Sequence, residues 1–244
     1  MSHHSPAASL ALLAAVLASA TASSALAFGP SWEGDLIDDA KGGANTAQPV
    51  STGGPITSIT GTLGTYPLVG GGPDVIDMYL IRLENPGILK MSTVGGPSGG
   101  SAGFDSQLFL FRAEGIPGSM KAFGLLANND ANEDVSGSFV GPAANDGSGF
   151  IVNAPGLYFI AITAFGTNPF TTGGDPIWGD LNVPGQIRFG NQAELAGWNA
   201  TGQSPGGNYT ISISGFSGQG VPAPGAVALL AIGGLTGRLS RRRR

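Results

Sequence analysis

The sequence predicts an all-β protein, a jelly-roll-like β-sandwich of about eight strands. First, apolar and polar residues alternate in short runs, which is the pattern of half-buried strands. Second, the 42 glycines and 17 prolines among 244 residues fall between these runs without a period, as expected where turns join strands. Third, no segment between residues 55 and 216 keeps a helical period over three turns. Together these observations favour two packed sheets over a helical or disordered chain.

Eight runs carry this alternation and are the predicted strands. They are residues 56–63, 77–83, 88–94, 106–112, 125–128, 138–140, 156–165 and 209–214. The run 156–165 is apolar on both faces, so we expect it in the centre of a sheet that is covered on both sides. In the last run, Tyr209, Ile211 and Ile213 are expected to face inward, because side chains alternate between the two faces of a strand.

The first 27 residues have the features of a signal peptide. An apolar run spans residues 8–20, and Ala25-Leu26-Ala27 supplies the small-x-small pattern that signal peptidase cleaves, so the predicted cleavage follows Ala27. The segment before this run contains His3 and His4 but no Lys or Arg, which departs from the usual pattern. An N-terminal membrane span is the alternative, but about 13 apolar residues fall short of the ~20 that a span needs.

The last residues, 217–244, combine a proline-rich entry, a short apolar stretch and a basic terminus. Their order is Val221, Pro222, Ala223 and Pro224, then ten apolar residues at 226–235, then four arginines at 241–244. This order resembles the bacterial PEP-CTERM sorting signal. The resemblance implies a sorting helix that inserts transiently into the membrane, export, and processing by an exosortase-type protease. A permanent anchor with its positive charges inside is the alternative; it fits less well, since a span needs ~20 apolar residues.

Charge and composition exclude several classes of function for the chain between these ends. Residues 28–220 hold all 16 acidic residues and six basic ones, a net charge of −10. Such a surface repels phosphate backbones, so we expect no nucleic-acid partner. The chain has no cysteine, and both histidines lie in the signal segment, which excludes a Ser-His-Asp triad, a histidine zinc site and a disulfide. Carboxylate chemistry and oxygen-ligated metals remain.

Five motifs in a fixed order extend over residues 55–216. They are Asp74-x-x-Asp77-x-Tyr79, the run 104–111 (FDSQLFLF), Asn128-Asn129-Asp130, the run 154–162 (APGLYFIAI) and the run 207–213 (GNYTISI). This series resembles the bacterial pre-peptidase C-terminal domain. The resemblance implies a compact jelly-roll sandwich of a kind that accompanies secreted enzymes, some members of which bind calcium or polymeric substrates. No peptidase is attached here, so the domain itself is the expected product.

Calcium is the predicted ligand of the acidic residues, because hard cations prefer oxygen ligands and nearby carboxylates can converge on one ion. Two groups qualify: the acidic segment 28–54 with the start of the second strand, and the loop 128–134. The resemblance implies the first group. Its predicted ligands are Asp74, Asp77, Asp35, Asp38 and Asp39, with Glu33 beside them. The alternative is that these residues cap turns, form an Asx-turn at Asn129 and Asp130, or lie in a solvated linker.

Trp178 and Trp198 stand in a long segment, 166–206, that is rich in glycine and proline. A loop of that length in a compact domain is often functional. The tryptophans could stack on sugars, but we expect them to pin the loop to the body of the domain.

The sequence therefore predicts an exported, non-enzymatic protein of the cell envelope or extracellular matrix, with a structural or adhesive role. Its expected partners are signal peptidase, an exosortase-type protease and extracellular polysaccharide. One alternative is a carbohydrate-binding module, which would require Trp178 and Trp198 to be coplanar and exposed. The other is a carboxylate-based, glycosidase-like hydrolase, which would require two carboxyl groups about 5 to 9.5 Å apart across a cleft.

Overall fold

The computed structural model describes residues 40–50, 54–64, 74–200 and 206–219. The described chain is all-β, with two single-turn 3-10 helices at Pro86–Ile88 and Gly96–Ser98 and no α-helix. The strands are β1 (Gln48–Pro49), β2 (Ser58–Leu63), β3 (Ile76–Leu83), β4 (Lys90–Ser92), β5 (Ser101–Ala102), β6 (Ser106–Ile116), β7 (Ser119–Asn128), β8 (Phe139–Val140), β9 (Gly156–Ala164), β10 (Thr167–Phe170), β11 (Arg188–Phe189), β12 (Gly197–Ala200), β13 (Gly207–Ser214) and β14 (Phe216–Ser217).

Seven strands form the large sheet, in the order β1-β3-β9-β6-β7-β11, with β14 also paired to β3. Only the β1–β3 pair is parallel. Strand β9 lies between β3 and β6, so that Ile160 stands opposite Tyr79 on one side and Leu110 on the other. The predicted central position of this strand is confirmed.

Five strands form the small sheet, in the order β2-β13-β4-β8, with β5 also paired to β13. Strand β13 organises it, because it pairs with β2 along its length and with β4 at its end. A separate antiparallel pair joins β10 to β12.

The two sheets pack face to face and share the main hydrophobic core. Tyr79, Leu108 and Ile160 point into it from the large sheet, and Ile59 and Ile211 point into it from the small sheet. All five are completely buried. Because alternate residues of each strand supply this core, the period of two in the sequence has the predicted consequence, and the sandwich-like all-β architecture is confirmed.

A second core lies on the outer face of the large sheet, the face that points away from the small sheet. Phe109, Phe111 and Phe159 are completely buried there. Two pieces of chain cover them: residues 40–47, and residues 166–200, which we call the covering segment. The outer face is therefore as apolar as the inner one, which explains why the central strands show no polar face.

The predicted strands all have counterparts, with altered bounds. The predicted strand 88–94 pairs only at Lys90–Ser92, because a 3-10 turn capped by Asn85 Oδ1, which accepts from the Gly87 N–H, occupies the preceding residues. The predicted strands at 106–112 and 125–128 extend into one long hairpin, with a bulge opposite Leu110 and Phe111. Six strands of two to four residues were not predicted. The signal segment 1–27 and the sorting motif at 221–224 lie outside the described residues.

Replacing Ile160 with Ala is expected to lower the free energy of unfolding by about 2–5 kcal/mol, through lost burial and the cavity left behind. Chemical denaturation measures this change. The matched control is Ile116→Ala at the hairpin tip, where the side chain is 71% exposed. This variant should lose less than about 0.5 kcal/mol of unfolding free energy. A loss below about 0.5 kcal/mol for Ile160→Ala would contradict the central position of β9.

Candidate functional site

The predicted calcium ligands on the second predicted strand, Asp74 and Asp77, have different structural positions. The Asp74 carbonyl accepts a hydrogen bond from the Gly64 N–H, 3.0 Å away, so this residue helps to join the start of β3 to the end of β2. Asp77 is completely buried on β3. The other predicted ligands, Asp35, Asp38 and Asp39, lie outside the described residues.

Asp77 takes part in a polar chain between the two sheets. The Tyr209 hydroxyl on β13 donates to Asp77 Oδ2 at 2.6 Å, and the hydroxyl oxygens of Tyr79 and Tyr209 are 2.5 Å apart. A buried carboxylate is stable only when it is hydrogen-bonded or paired. In the described part of the chain, Asp77 therefore acts as an acceptor that ties the small sheet to the large one.

The loop 128–134 is held mainly by its asparagines. Asn128 donates to the carbonyls of Asp130 and Gln186, both at 2.9 Å, and accepts from the Phe139 N–H at 2.8 Å. Asn132 accepts from the N–H of Asp134, which is an Asx-turn that begins three residues after the one predicted at Asn129. Across the described ranges, no three His, Cys, Asp or Glu side chains form a metal-binding group.

The two tryptophans of the covering segment insert into the outer core. Trp178 is 3% exposed, and its ring centroid lies 5.3 Å from that of Phe109 and 5.2 Å from that of Phe111. Trp198 meets the same two phenylalanines edge-on, at 5.4 and 6.0 Å. They pin the loop, as expected, and they do not form the exposed coplanar platform that a sugar-stacking pair requires.

Each indole N–H also has a fixed acceptor. Trp178 Nε1 donates to the Arg188 carbonyl at 3.0 Å, and Trp198 Nε1 donates to the Gly42 carbonyl at 2.6 Å. The aromatic rings thus join the covering segment to the large sheet and to the segment before β1.

Two glycines make room for Trp178. A Cβ atom at Gly124 would lie 2.9 Å from the Trp178 ring and 2.4 Å from Ile177 Cγ2, and one at Gly190 would lie 2.8 Å from the Trp178 ring. All three distances are far below van der Waals contact, so neither site can accept a larger residue without moving the tryptophan.

The insertion of the covering segment leaves an open cleft of about 650 Å³ where β6, β10 and β12 meet the loop after Trp178. Aromatic rings and side-chain amides line it together with glycines, prolines and Leu181. The aromatic ones are Phe165, Phe170 and Trp178; the amides are Gln107, Asn168, Asn182 and Asn199. Asp180 is the charged residue among the described lining residues.

The amides at the inner end of the cleft are part of a buried polar network. Gln107 is almost completely buried; its Nε2 lies 3.4 Å from Asn168 Oδ1, and its Oε1 accepts from the Thr163 hydroxyl at 3.4 Å. Thr163 is also 3.1 Å from the Thr167 carbonyl. These contacts fix the inner amides on strands, whereas Asn182 and Asn199 are exposed at the rim.

Two carboxyl groups lie near the same end of the large sheet. Asp105 precedes β6 and Asp130 follows β7. Burial raises the pKa of Asp105 above its ordinary value, and the charge of Asp130 raises it further; burial also raises the pKa of Asp130. The sequence singled out Asp130 as part of a loop, but not its proximity to Asp105.

The cleft combines flat apolar rings with neutral amides. Side-chain amides both donate and accept hydrogen bonds, which matches the adjacent hydroxyl groups of a neutral sugar, while aromatic rings can pack on the C–H faces of a pyranose. The sequence pointed to Trp178 and Trp198 and missed the asparagines. The available signal was the recurrence of Asn beside Phe and Trp at positions 168–170 and 198–199.

Comparisons with protein-family models, with curated proteins and with solved structures find no match for this chain. No helix in the described part of the chain has the length and hydropathy that crossing a bilayer requires.

Replacing Tyr209 with Phe is expected to destabilise the protein by about 1–3 kcal/mol, because a buried carboxylate loses its hydroxyl donor. Equilibrium urea unfolding measures this effect. The matched control is Tyr158→Phe, which removes a hydroxyl that donates to the Ala154 carbonyl at 2.6 Å and leaves no carboxylate behind. If Tyr209→Phe costs no more than the control, the bond between Tyr209 and Asp77 does not hold the sheets together.

Proposed function

We propose that this protein is an exported, non-enzymatic adhesive protein of the cell envelope or extracellular matrix, and that its cleft holds a neutral polysaccharide. The observation that carries the proposal is the lining of the cleft, in which the accessible rings of Phe165 and Phe170 stand beside four side-chain amides. Sites for small polar ligands are concave and mainly apolar, with a few well-placed polar groups that fix orientation.

The position of the cleft supports this proposal. Its walls are strands and a segment pinned by two tryptophans, Trp178 buried and Trp198 half-buried, so a ligand would meet groups that are already in place. Preorganised groups lose little conformational entropy on binding. Because the cleft is open, it would admit sugar units from the middle of a polysaccharide as well as those at its end.

Charge favours a neutral over an acidic polymer. The chain between the two terminal signals carries a net charge of −10, and Asp180 lies in the cleft wall. An acidic polysaccharide would be repelled by both.

The ends of the chain support export and sorting. Residues 1–27 have the pattern of a cleaved signal peptide, and residues 217–244 resemble the PEP-CTERM sorting signal. The order of motifs in residues 55–216 resembles the pre-peptidase C-terminal domain, so the sandwich is proposed to have jelly-roll topology.

Affinity electrophoresis tests polysaccharide binding. We expect at least one neutral polymer, dextran, xylan or mixed-linkage β-glucan, to retard the protein when it is included in the gel. Alginate, an acidic polymer, should leave the mobility of the protein unchanged. The double variant Asn182→Ala/Asn199→Ala should weaken binding about tenfold or more, because two rim hydrogen bonds of about 0.5–1.5 kcal/mol are lost.

Asn153→Ala is the matched control, since Asn153 is exposed beyond the opposite end of β9 from the cleft. Equal retardation of the double variant and the wild type would contradict the cleft as the binding site. New reducing ends released from the retarding polysaccharide would instead support the hydrolase alternative.

Mass spectrometry of the protein from the cell envelope tests the sorting signal. We expect a C-terminus between residues 221 and 226, because the proline-rich entry is the part of the signal that precedes the membrane. Intact Arg244 on the envelope-located protein would contradict processing.

A further inference from the structure

Two polar residues, Asn129 fully buried and Asp105 half-buried, lie at the same end of the large sheet, outside the cleft. Asp105 directly precedes β6, and Asn129 directly follows β7. Leu108 and Asn128 are the terminal pair of this hairpin, and the register continued by one residue would bring Asn129 opposite Gln107, with Asp105 as its diagonal neighbour. Diagonal neighbours on one face of an antiparallel pair are close enough for their side chains to interact.

Each of these residues has a buried side-chain oxygen without a hydrogen-bond donor. Asn129 is 2% exposed; its Nδ2 donates to Asp130 Oδ2 at 2.8 Å, while its Oδ1 is buried and accepts no hydrogen bond. Asp105 Oδ1 is also buried and accepts none. A buried acceptor that lacks a donor costs free energy, so two of them at one place indicate that a further positively polarised group belongs there.

The local charge indicates a cation. Asp130 lies close enough to Asp105 for its charge to raise the pKa of the Asp105 carboxyl group. In the ion pairs of the described residues, Arg82, Arg112 and Lys121 are each paired with a glutamate. None of these pairs includes Asp105 or Asp130. Among the described residues, no ion pair therefore balances these two carboxyl groups.

The backbone around this group is already fixed. The Asp105 carbonyl accepts from the Phe165 N–H at 2.8 Å, and the Asp130 carbonyl accepts from the Gly185 N–H at 2.7 Å. The Asn129 carbonyl accepts from the Ser138 hydroxyl. The three side chains are thus presented by a loop whose main chain is tied to neighbouring segments on both sides.

We propose that Asp105, Asn129 and Asp130 bind one calcium ion. The site offers only oxygen ligands, which suit a hard cation. Calcium is favoured over magnesium because it accepts irregular sets of six to eight oxygens, including carboxylates and amide carbonyls, with water in the remaining positions. The site is distinct from the one predicted at Asp74 and Asp77, and it does not rest on polysaccharide binding in the cleft.

The site would also affect the covering segment. The Gly185 N–H that bonds to the Asp130 carbonyl belongs to the same loop as Asp180 and Asn182 in the cleft wall. A calcium ion at Asp130 would fix that end of the covering segment.

Calorimetric titration and thermal melting of the full chain, first depleted of metal with EGTA, test the proposal. The wild type should take up calcium at this site, and its melting temperature should rise by about 5–10 °C at a hundredfold excess over Kd. Magnesium at the same concentration should give a smaller rise. Asp105→Asn and Asp130→Asn should each weaken calcium binding at least tenfold.

Two further variants make the result specific. Asn129→Asp adds a third carboxylate, so it should lower the melting temperature without calcium and enlarge the calcium-dependent rise. Asp134→Asn, an exposed neighbour in the same loop, is the matched control and should bind like the wild type. Should Asp105→Asn or Asp130→Asn fail to fold, Asn129→Asp and the wild type still decide the question.

Three outcomes would overturn the proposal. The first is a wild-type melting curve that 10 mM calcium does not move. The second is a calcium-dependent rise that survives Asp105→Asn and Asp130→Asn but is lost in Asp74→Asn, which would favour the other predicted site. The third is an Asn129→Asp variant that is destabilised equally with and without calcium.

Discussion

The structure depends on one constraint: the central strands of the large sheet are apolar on both faces and must be covered twice. In β9, Ile160 points to the small sheet while Phe159 points to the outer face, and both are completely buried. Burial of apolar area is the main favourable term in folding, and a strand that exposed either residue would lose it. One face is covered by a second sheet, and the other is covered by a long segment with little regular structure of its own.

The difference between these two covers, a regular sheet and an irregular segment, explains where the cleft lies. The covering segment meets the sheet through two tryptophan rings and close glycine contacts, and it leaves a cleft where it cannot follow the sheet surface. The start of β6 and the end of β9 lie beside this gap, and their polar residues Gln107 and Thr163 are buried and bonded to each other instead of facing water. Buried polar groups at the ends of central strands are suited to binding, because their positions are fixed before a ligand arrives.

Sequence reasoning predicted what depends on local pattern. The alternation of Tyr209, Ile211 and Ile213 determines which face of β13 is buried, and the doubly apolar run 156–165 identified the central strand. Short strands such as β10, which contains Pro169, carry no local signal, since they form only where a partner strand is supplied. The interaction between Asp105 and Asp130 likewise joins the start of β6 to the loop after β7, and the bond from Tyr209 to Asp77 joins residues of different sheets.

The cleft exists only if the covering segment is a fixed part of the fold. Native-state hydrogen exchange tests it at the amides that join this segment to β7: Gly124 N–H bonded to the Ala193 carbonyl, Gly190 N–H bonded to the Leu125 carbonyl, and Leu195 N–H bonded to the Ala122 carbonyl. Slow exchange, with protection close to that of the β9 amides, is the predicted result. Exchange of these amides at the rate of an unstructured peptide, while β9 remains protected, would contradict the account.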